Sequence, residues 1–230
     1  MLPVLACTAV FGATEIWNIK DSSIWTGAEA NSVLNNSPWA KQVKAQPAQG
    51  APARRGGRGG MGRRGGMGYP GGGGGGRTNS QPMSVVVRWE SAKPVQEAEA
   101  RLQKLNTPAD SEPKPAAKSF ENHYVISVVG LRAGTGGRNQ NDNGEGAGQV
   151  RDQLLTYTQL LMKNKSPLSP DDIKVKNRDG SNEILFFFAK TNPINKDDKE
   201  VTFKTSIGRL KVENKFDLKK MTRNKKLELD

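Results

Sequence analysis

Residues 124–131, YVISVVGL, are the stretch that decides the fold. Apolar side chains stand at nearly every position, whereas a strand with one face in water alternates apolar and polar residues. The stretch therefore predicts a central strand that is buried on both faces. Such a strand needs other strands beside it and further elements over its faces, and the sequence on both sides supplies candidates for them.

Downstream of this strand, the sequence predicts one helix and several strands. Val150, Leu154, Tyr157 and Leu161 recur at helical spacing, so residues 149–163 are predicted to form a helix with these side chains on its inner face. Short runs of β-branched and aromatic residues between turn residues predict strands over residues 173–175, 183–189, 200–205, 209–216 and 226–229.

Upstream, residues 85–89 (VVVRW) predict a strand with Val85, Val87 and Trp89 on one face. Pro94 suits the first turn of a helix, which is predicted over residues 94–105. The order of all these elements predicts an α+β domain over residues 83–230. Its expected form is a mixed or antiparallel sheet with two helices on one face.

A Gly/Arg tract lies upstream of this domain, at residues 54–77. Of the 26 glycines in the chain, 14 lie within residues 56–76, with almost nothing apolar to bury in return for the entropy lost on ordering. Residues 46–82 are therefore predicted to be a long disordered linker. The repeated Arg-Gly-Gly units of residues 54–66 resemble the RGG boxes of RNA-binding proteins, although Tyr69 is the only aromatic residue of the tract.

The charge of the chain favours anionic partners. The formal net charge is +12, and six arginines with no acidic residue lie within the tract. Envelope glycan, lipid headgroups and RNA are the candidate partners, and the residues predicted to bind such a polyanion are Arg54, Arg55, Arg58, Arg63, Arg64 and Arg77. Residues 199–230 add ten basic and five acidic residues, which are interpreted as a solvated basic face.

The N-terminal part of the chain predicts export. Residues 1–13, MLPVLACTAVFGA, are apolar and end in small residues, as in a signal peptide, although the basic n-region is missing. A buried N-terminal segment and a lipidated Cys7 are the alternatives. No later stretch is long enough to predict a transmembrane helix.

Residues 14–45 hold three of the four tryptophans of the chain, Trp17, Trp25 and Trp39. Exposed indoles are unusual, so this segment is predicted to dock on the domain and bury them. A capping-box pattern predicts a short helix over residues 27–36.

Few side chains are suited to catalysis or metal binding. Cys7 and His123 are the only cysteine and histidine, which excludes an intrachain disulfide and a Cys/His zinc site of the usual kind. The adjacent acids Asp171-Asp172 and Asp197-Asp198 are interpreted as turn and capping residues. The Gly-rich loop at 134–137 and the Asn-rich loop at 139–144 lack the residues that phosphate and calcium require. No catalytic residue, cofactor or metal ligand is predicted.

Three short motifs stand outside the tract: SPWAK at residues 37–41, RWESA at 88–92, and FDLKKM at 216–221 followed by LEL at 227–229. They resemble an uncharacterised family of exported proteins from soil bacteria of the acidobacterial type. The resemblance implies a bacterial, exported protein with one domain and a variable linker at the Gly/Arg tract. It implies no catalytic residue.

These observations lead to two main hypotheses about function. The first is an exported protein, periplasmic, envelope-associated or secreted, that acts as a non-catalytic binding or structural module. The alternative is a cytoplasmic RNA-binding protein that acts through the RGG-like tract. A hydrolase is a third hypothesis, and it would require acidic residues from different elements to meet in a pocket.

Overall fold

The computed structural model describes residues 15–47, 83–107, 120, 122–132, 145–178 and 181–230. The predicted signal peptide, nearly all of the predicted linker, the six tract arginines and both glycine- or asparagine-rich loops lie outside these ranges. Within them, no helix is long and apolar enough to span a membrane.

The described residues form four α-helices, two short 3-10 helices and eleven strands. The helices are α1 (Ile16–Ile19), α2 (Gly27–Asn35), α3 (Lys93–Asn106) and α4 (Glu145–Tyr157), with 3-10 helices at Ser22–Ile24 and Lys196–Asp198. The strands before α4 are β1 (Ala40–Lys44), β2 (Gln46–Pro47), β3 (Ser84–Trp89) and β4 (His123–Arg132). The later strands are β5 (Gln159–Met162), β6 (Asp172–Arg178), β7 (Ser181–Ala189), β8 (Glu200–Ile207), β9 (Leu210–Asp217), β10 (Thr222–Arg223) and β11 (Lys226–Leu227).

The strands form two antiparallel sheets and one small hairpin. The first sheet has the order β1-β3-β4-β7-β6, and the second has the order β2-β9-β8-β5. The strands β10 and β11 pair only with each other. The α+β class with antiparallel pairing is thus confirmed, but the single sheet expected from the sequence is replaced by two.

Aromatic side chains from both sheets meet in the core. Phe203 of β8 lies 5.4 Å from Phe186 of β7, and Phe216 of β9 lies 5.1 Å from Trp89 of β3, measured between ring centroids. These rings are fully buried. The alternation of β8 and β9 places one face of the second sheet against the first sheet and the other in water.

The central strand β4 pairs with β3 on one side and β7 on the other. Its side chains Val125, Ile126, Ser127 and Val128 are all buried, so both faces of the strand are covered, as its apolar sequence predicts. The helices α2 and α3 contact each other, and α2 also contacts β1 and β3, whereas α4 contacts β6 of the first sheet and β8 of the second. The expected pair of helices on one face is therefore not formed by α3 and α4.

The N-terminal segment is part of both sheets. The strand β1 pairs with β3, and two residues later β2 pairs with β9 of the other sheet. Trp17, Trp25 and Trp39 are buried, as the number of indoles in this segment led us to expect. The linker prediction was wrong for Gln46 and Pro47, because these residues pair with Lys211 and Leu210.

The predicted helix over residues 149–163 is correct only up to Tyr157. Thr158 is buried and its hydroxyl lies 2.7 Å from that of Thr205, which ties the chain to β8. Leu160 and Met162 then point into the core from β5. A short apolar run such as LLM suits a buried helix and a buried strand equally, so periodicity could not separate them.

A chain cut once between Pro47 and Met83 is expected to keep residues 15–47 bound to the rest of the protein. The segment adds a strand to each sheet and buries three indoles, and these contacts do not need a continuous chain. Size-exclusion chromatography of a variant with a specific protease site in that interval measures the result. Separation of the two fragments without denaturant would contradict the prediction.

Candidate functional site

Trp89 and Ser91 anchor the C-terminal residues of the chain to the first sheet. The indole nitrogen of Trp89 donates a hydrogen bond to the carbonyl of Leu229 at 3.2 Å, and the hydroxyl of Ser91 donates to the same carbonyl at 2.6 Å. All of these contacts are buried. Because strand residues alternate in direction, the side chains of Arg88 and Glu90 lie on the opposite face.

On that face, Arg88 is the centre of a buried ionic network. Its Nε donates to the carbonyl of Leu34 at 2.9 Å, and its guanidinium lies 3.2 Å from Glu90 and 3.4 Å from Glu99. Glu90 also accepts a hydrogen bond from the hydroxyl of Ser127 at 2.6 Å. A buried charge is tolerated only when it is paired and hydrogen-bonded, so this network fixes α2, α3 and β4 relative to β3.

Trp39 adds a second contact to the C-terminal residues. Its indole nitrogen donates to the carbonyl of Glu228 at 2.7 Å, and the amide of Lys93 donates to the carbonyl of Asp230 at 3.1 Å. The SPWAK, RWESA and LEL motifs therefore meet at one place in the structure, although they lie far apart in the sequence. Their spacing along the chain gave no sign of this meeting.

The hairpin β10–β11 lies next to this anchor and carries several positive charges. Asn224 and Lys225 form its two-residue turn, with φ angles of 51° and 64°. The ammonium of Lys196 donates a hydrogen bond to the carbonyl of Lys225. Lys219, Lys220, Lys225 and Lys226 are exposed, whereas Arg223 lies 2.6 Å from Glu97 of α3. We call residues 219–226 the basic hairpin.

One cleft, of about 260 Å³, lies beside the basic hairpin and is called the Tyr124 cleft. It is lined by Tyr124, Ile194, Asn195, Lys196, Lys226, Leu227, Leu229 and Asp230. Burial raises the pKa of Tyr124, and its hydroxyl accepts a hydrogen bond from the amide of Ile194 at 3.1 Å. The phenol is therefore neutral at physiological pH and acts as a fixed wall of the cleft.

The 3-10 helix Lys196–Asp198 holds Lys196 at the rim of the Tyr124 cleft. Burial raises the pKa of Asp198, but hydrogen bonds from the amide of Asn195 and the ammonium of Lys165 outweigh it, so the net shift is downward. The carboxylate accepts these bonds at 2.8 and 2.7 Å. Asp198 is thus a capping residue, as the sequence indicated for this acidic pair.

A second cleft, of about 390 Å³, lies between the N-terminal segment and the end of β9 and is called the Trp17 cleft. It is lined by Glu15, Trp17, Asn36, Ser37, Pro38, Lys41, Asp217 and Lys220. Trp17 packs edge-to-face on Trp39, with ring centroids 5.3 Å apart. The indole N–H of Trp17 is buried and has no acceptor among the described residues.

Of the residues that the sequence singled out for chemistry, the structure brings His123 and Asp171 together, but outside both clefts. The ring of His123 lies 2.9 Å from Asp171 at the surface, and Asp172 accepts hydrogen bonds from Arg151 and from the amide of Ile173, both at 2.8 Å. The hydrogen bond from Arg151 is the main cause of the lowered pKa of Asp172. Over the ranges that the structure describes, no group of three or more His, Cys, Asp or Glu residues could hold a metal ion.

Comparison with known proteins gives no assignment. No family model matches the chain, and no curated protein or solved structure shows significant similarity to it.

Replacing Ser91 with Ala is expected to lower the free energy of unfolding by about 1–3 kcal/mol, because the amide of Val125 loses its acceptor and Leu229 loses its shorter hydrogen bond. Urea unfolding at neutral pH measures the change. The matched control is Ser169→Ala, at an exposed loop position, which is expected to change stability by less than about 0.5 kcal/mol. Equal stability of the two variants would show that Ser91 is not an anchor.

Proposed function

We propose that this protein is an exported bacterial binding module that attaches to an anionic glycan of the cell envelope and catalyses no reaction. The basic hairpin carries the proposal. Lys219, Lys225 and Lys226 are exposed on it, and none of them forms an ion pair with another residue in the described ranges. Positive charges that are close together and not neutralised attract a polyanion strongly.

Lysines on the exposed face of the second sheet differ from those of the hairpin. Lys204 pairs with Glu213 at 3.4 Å, and Lys215 pairs with Glu200 at 3.2 Å. The carboxylates of the partner strand largely cancel the charges of Lys204 and Lys215, so these two lysines offer little to an anionic ligand. The positive excess of residues 199–230 is therefore concentrated on the hairpin, which argues against the evenly solvated face suggested by the composition.

The backbone of Lys225 supports the same interpretation. A two-residue turn with positive φ at both positions favours Asn followed by Gly, and Asn224 follows this preference. A lysine in the left-handed region costs about 1–2 kcal/mol relative to the usual conformation. The presence of lysine at this strained position is consistent with a use for its side chain.

The proposal includes no catalysis because the candidate groups are otherwise engaged. The single histidine is hydrogen-bonded to Asp171 at 2.9 Å, and neither of these two residues lines the Tyr124 cleft or the Trp17 cleft. Export rests on the signal-like residues 1–13 and on the family resemblance. The tract arginines provide a second basic segment, which would assist binding to the same polymer.

Replacing Lys219, Lys225 and Lys226 together with Gln is expected to weaken binding to dextran sulfate, a soluble anionic glycan, by about tenfold. Each exposed charge contact contributes about 0.2–1 kcal/mol, and 1.4 kcal/mol corresponds to a factor of ten. Binding measured by isothermal titration calorimetry should also weaken as salt is raised, because salt screens exposed charges. Neutral dextran, which lacks the sulfates, should not bind.

The matched control replaces the exposed residues Lys104, Lys163 and Lys211 with Gln, which removes the same net charge elsewhere. Equal loss of affinity in both triple variants would refute a specific surface. Tight binding of single-stranded RNA that disappears when the six tract arginines become Ser, without binding of dextran sulfate, would instead support the RNA-binding hypothesis.

Lys225→Gly provides a test with two readouts of opposite sign. Glycine relieves the left-handed strain, so the free energy of unfolding is expected to rise by up to about 1 kcal/mol, while the affinity for dextran sulfate falls. Thermal unfolding and calorimetry measure the two effects. A rise in stability without a loss of affinity would show that the Lys225 side chain is not used.

Location is tested in a bacterial host by cell fractionation and N-terminal sequencing of the mature protein. Export predicts cleavage near Ala13 and recovery of the protein outside the cytoplasm. Recovery in the cytoplasm with the N-terminus retained would contradict the exported module and favour the RNA-binding alternative.

A further inference from the structure

The Trp17 cleft has a different chemical character from the basic hairpin. Two acidic residues, Glu15 and Asp217, and two lysines, Lys41 and Lys220, line it, so the formal charge of its wall is zero. A polyanion gains little from such a wall. Lys220 is part of the basic hairpin as well, but Lys219, Lys225 and Lys226, which carry the glycan-binding proposal, do not line this cleft.

We propose that the Trp17 cleft binds a small zwitterion of the class of short peptides. The volume of about 390 Å³ lies at the lower end of the range of about 300–1,000 Å³ that is common for small-molecule sites. The rings of Trp17 and Pro38 provide an apolar wall, and charged groups of both signs lie around it. This is the combination that a ligand with an ammonium, a carboxylate and aliphatic groups requires.

The charged groups of the cleft are available to a ligand. Lys41 is exposed and forms no ion pair in the described part of the chain, and Glu15 accepts a hydrogen bond only from the uncharged amide of Asn18, at 2.8 Å. Lys220 and Asp217 are 3.9 Å apart at their charged atoms, which is a loose contact. Both members of that pair remain able to turn towards a ligand of opposite charge.

Trp17 gives a second, independent indication of a ligand. Its side chain is 5% exposed and lines the cleft, yet its N–H has no acceptor among the described residues. A buried indole N–H normally finds a partner, because an unmade hydrogen bond costs free energy. The nitrogen atom itself is covered, so a carboxylate or carbonyl oxygen of a peptide in the cleft becomes its acceptor only when the ring turns towards the cleft.

The test uses three probes that differ only in charge: L-alanyl-L-alanine, its N-acetyl derivative and its N-acetyl amide. Calorimetry with the full chain is expected to show that the free dipeptide binds best and the neutral amide least, by about tenfold or more. Glu15→Gln should weaken the free dipeptide by about fivefold and leave the N-acetyl derivative unchanged. Lys41→Gln should weaken both of these probes, because both retain the carboxylate.

Lys44→Gln is the control, since Lys44 is an exposed lysine of the same strand that does not line the cleft. It is expected to leave all three affinities unchanged. Trp17→Phe, which keeps an aromatic wall but removes the N–H, should weaken binding, and thermal unfolding checks that it folds. If Trp17→Phe does not fold, the variants at the exposed positions 15 and 41 still test the proposal.

Several results would overturn the proposal. These are equal binding of the three probes, equal effects of Lys41→Gln and Lys44→Gln, and no binding at a concentration of about 10 mM, where even millimolar affinity is detectable. None of these results depends on Lys219, Lys225 or Lys226. Failure here would therefore leave the glycan-binding proposal standing, and failure of that proposal would leave this one standing.

Discussion

The buried guanidinium of Arg88 is the interaction on which the rest of the structure depends. It joins the end of α2, through the carbonyl of Leu34, to carboxylates on the chain after β3 and on α3. Loss of one partner from such a network leaves an uncompensated buried charge, which is far more costly than the net contribution of the pair. Trp89, on the opposite face of the same strand, holds Leu229. One short stretch thus connects α2, α3 and the C-terminal residues, of which Leu229 lines the Tyr124 cleft.

The position of the N-terminal segment changes the role assigned to the Gly/Arg tract. The amide of Ala45 donates to the carbonyl of Met83 at 2.8 Å, so the described chain on the two sides of residues 48–82 lies close together. A connection of a few residues would be enough to join β1 to β3, because these two strands pair antiparallel and such strands need only a short turn. The length of the tract is therefore not required by the fold. Its arginines carry charge to the neighbourhood of a domain that has a basic surface of its own.

The sequence predicted local elements well and their assembly only partly. The capping box at Thr26 and Glu29 identified α2, and Pro94 identified the start of α3, because these signals depend on neighbouring residues alone. The division into two sheets was not predictable in this way, since it depends on pairings between distant strands, such as β4 with β7 and β5 with β8. The clefts were missed for the same reason. Glu15, Lys41 and Lys220 carry no shared motif, and only the folded chain brings them together.

Net charge alone does not tell which surface would bind an anion. The ion pairs and the backbone conformation of Lys225 provide further criteria. Composition treats all lysines as equal, yet Lys204 and Lys215 are paired across strands, whereas Lys219, Lys225 and Lys226 form no ion pair in the described ranges. A solvated basic face gives no reason to place lysine at φ 64°, where glycine is favoured and would cost less. Strain that is kept at an exposed position is more consistent with a use for the side chain than with solubility. The backbone conformation of Lys225 therefore supports the proposal that the hairpin binds an anionic ligand.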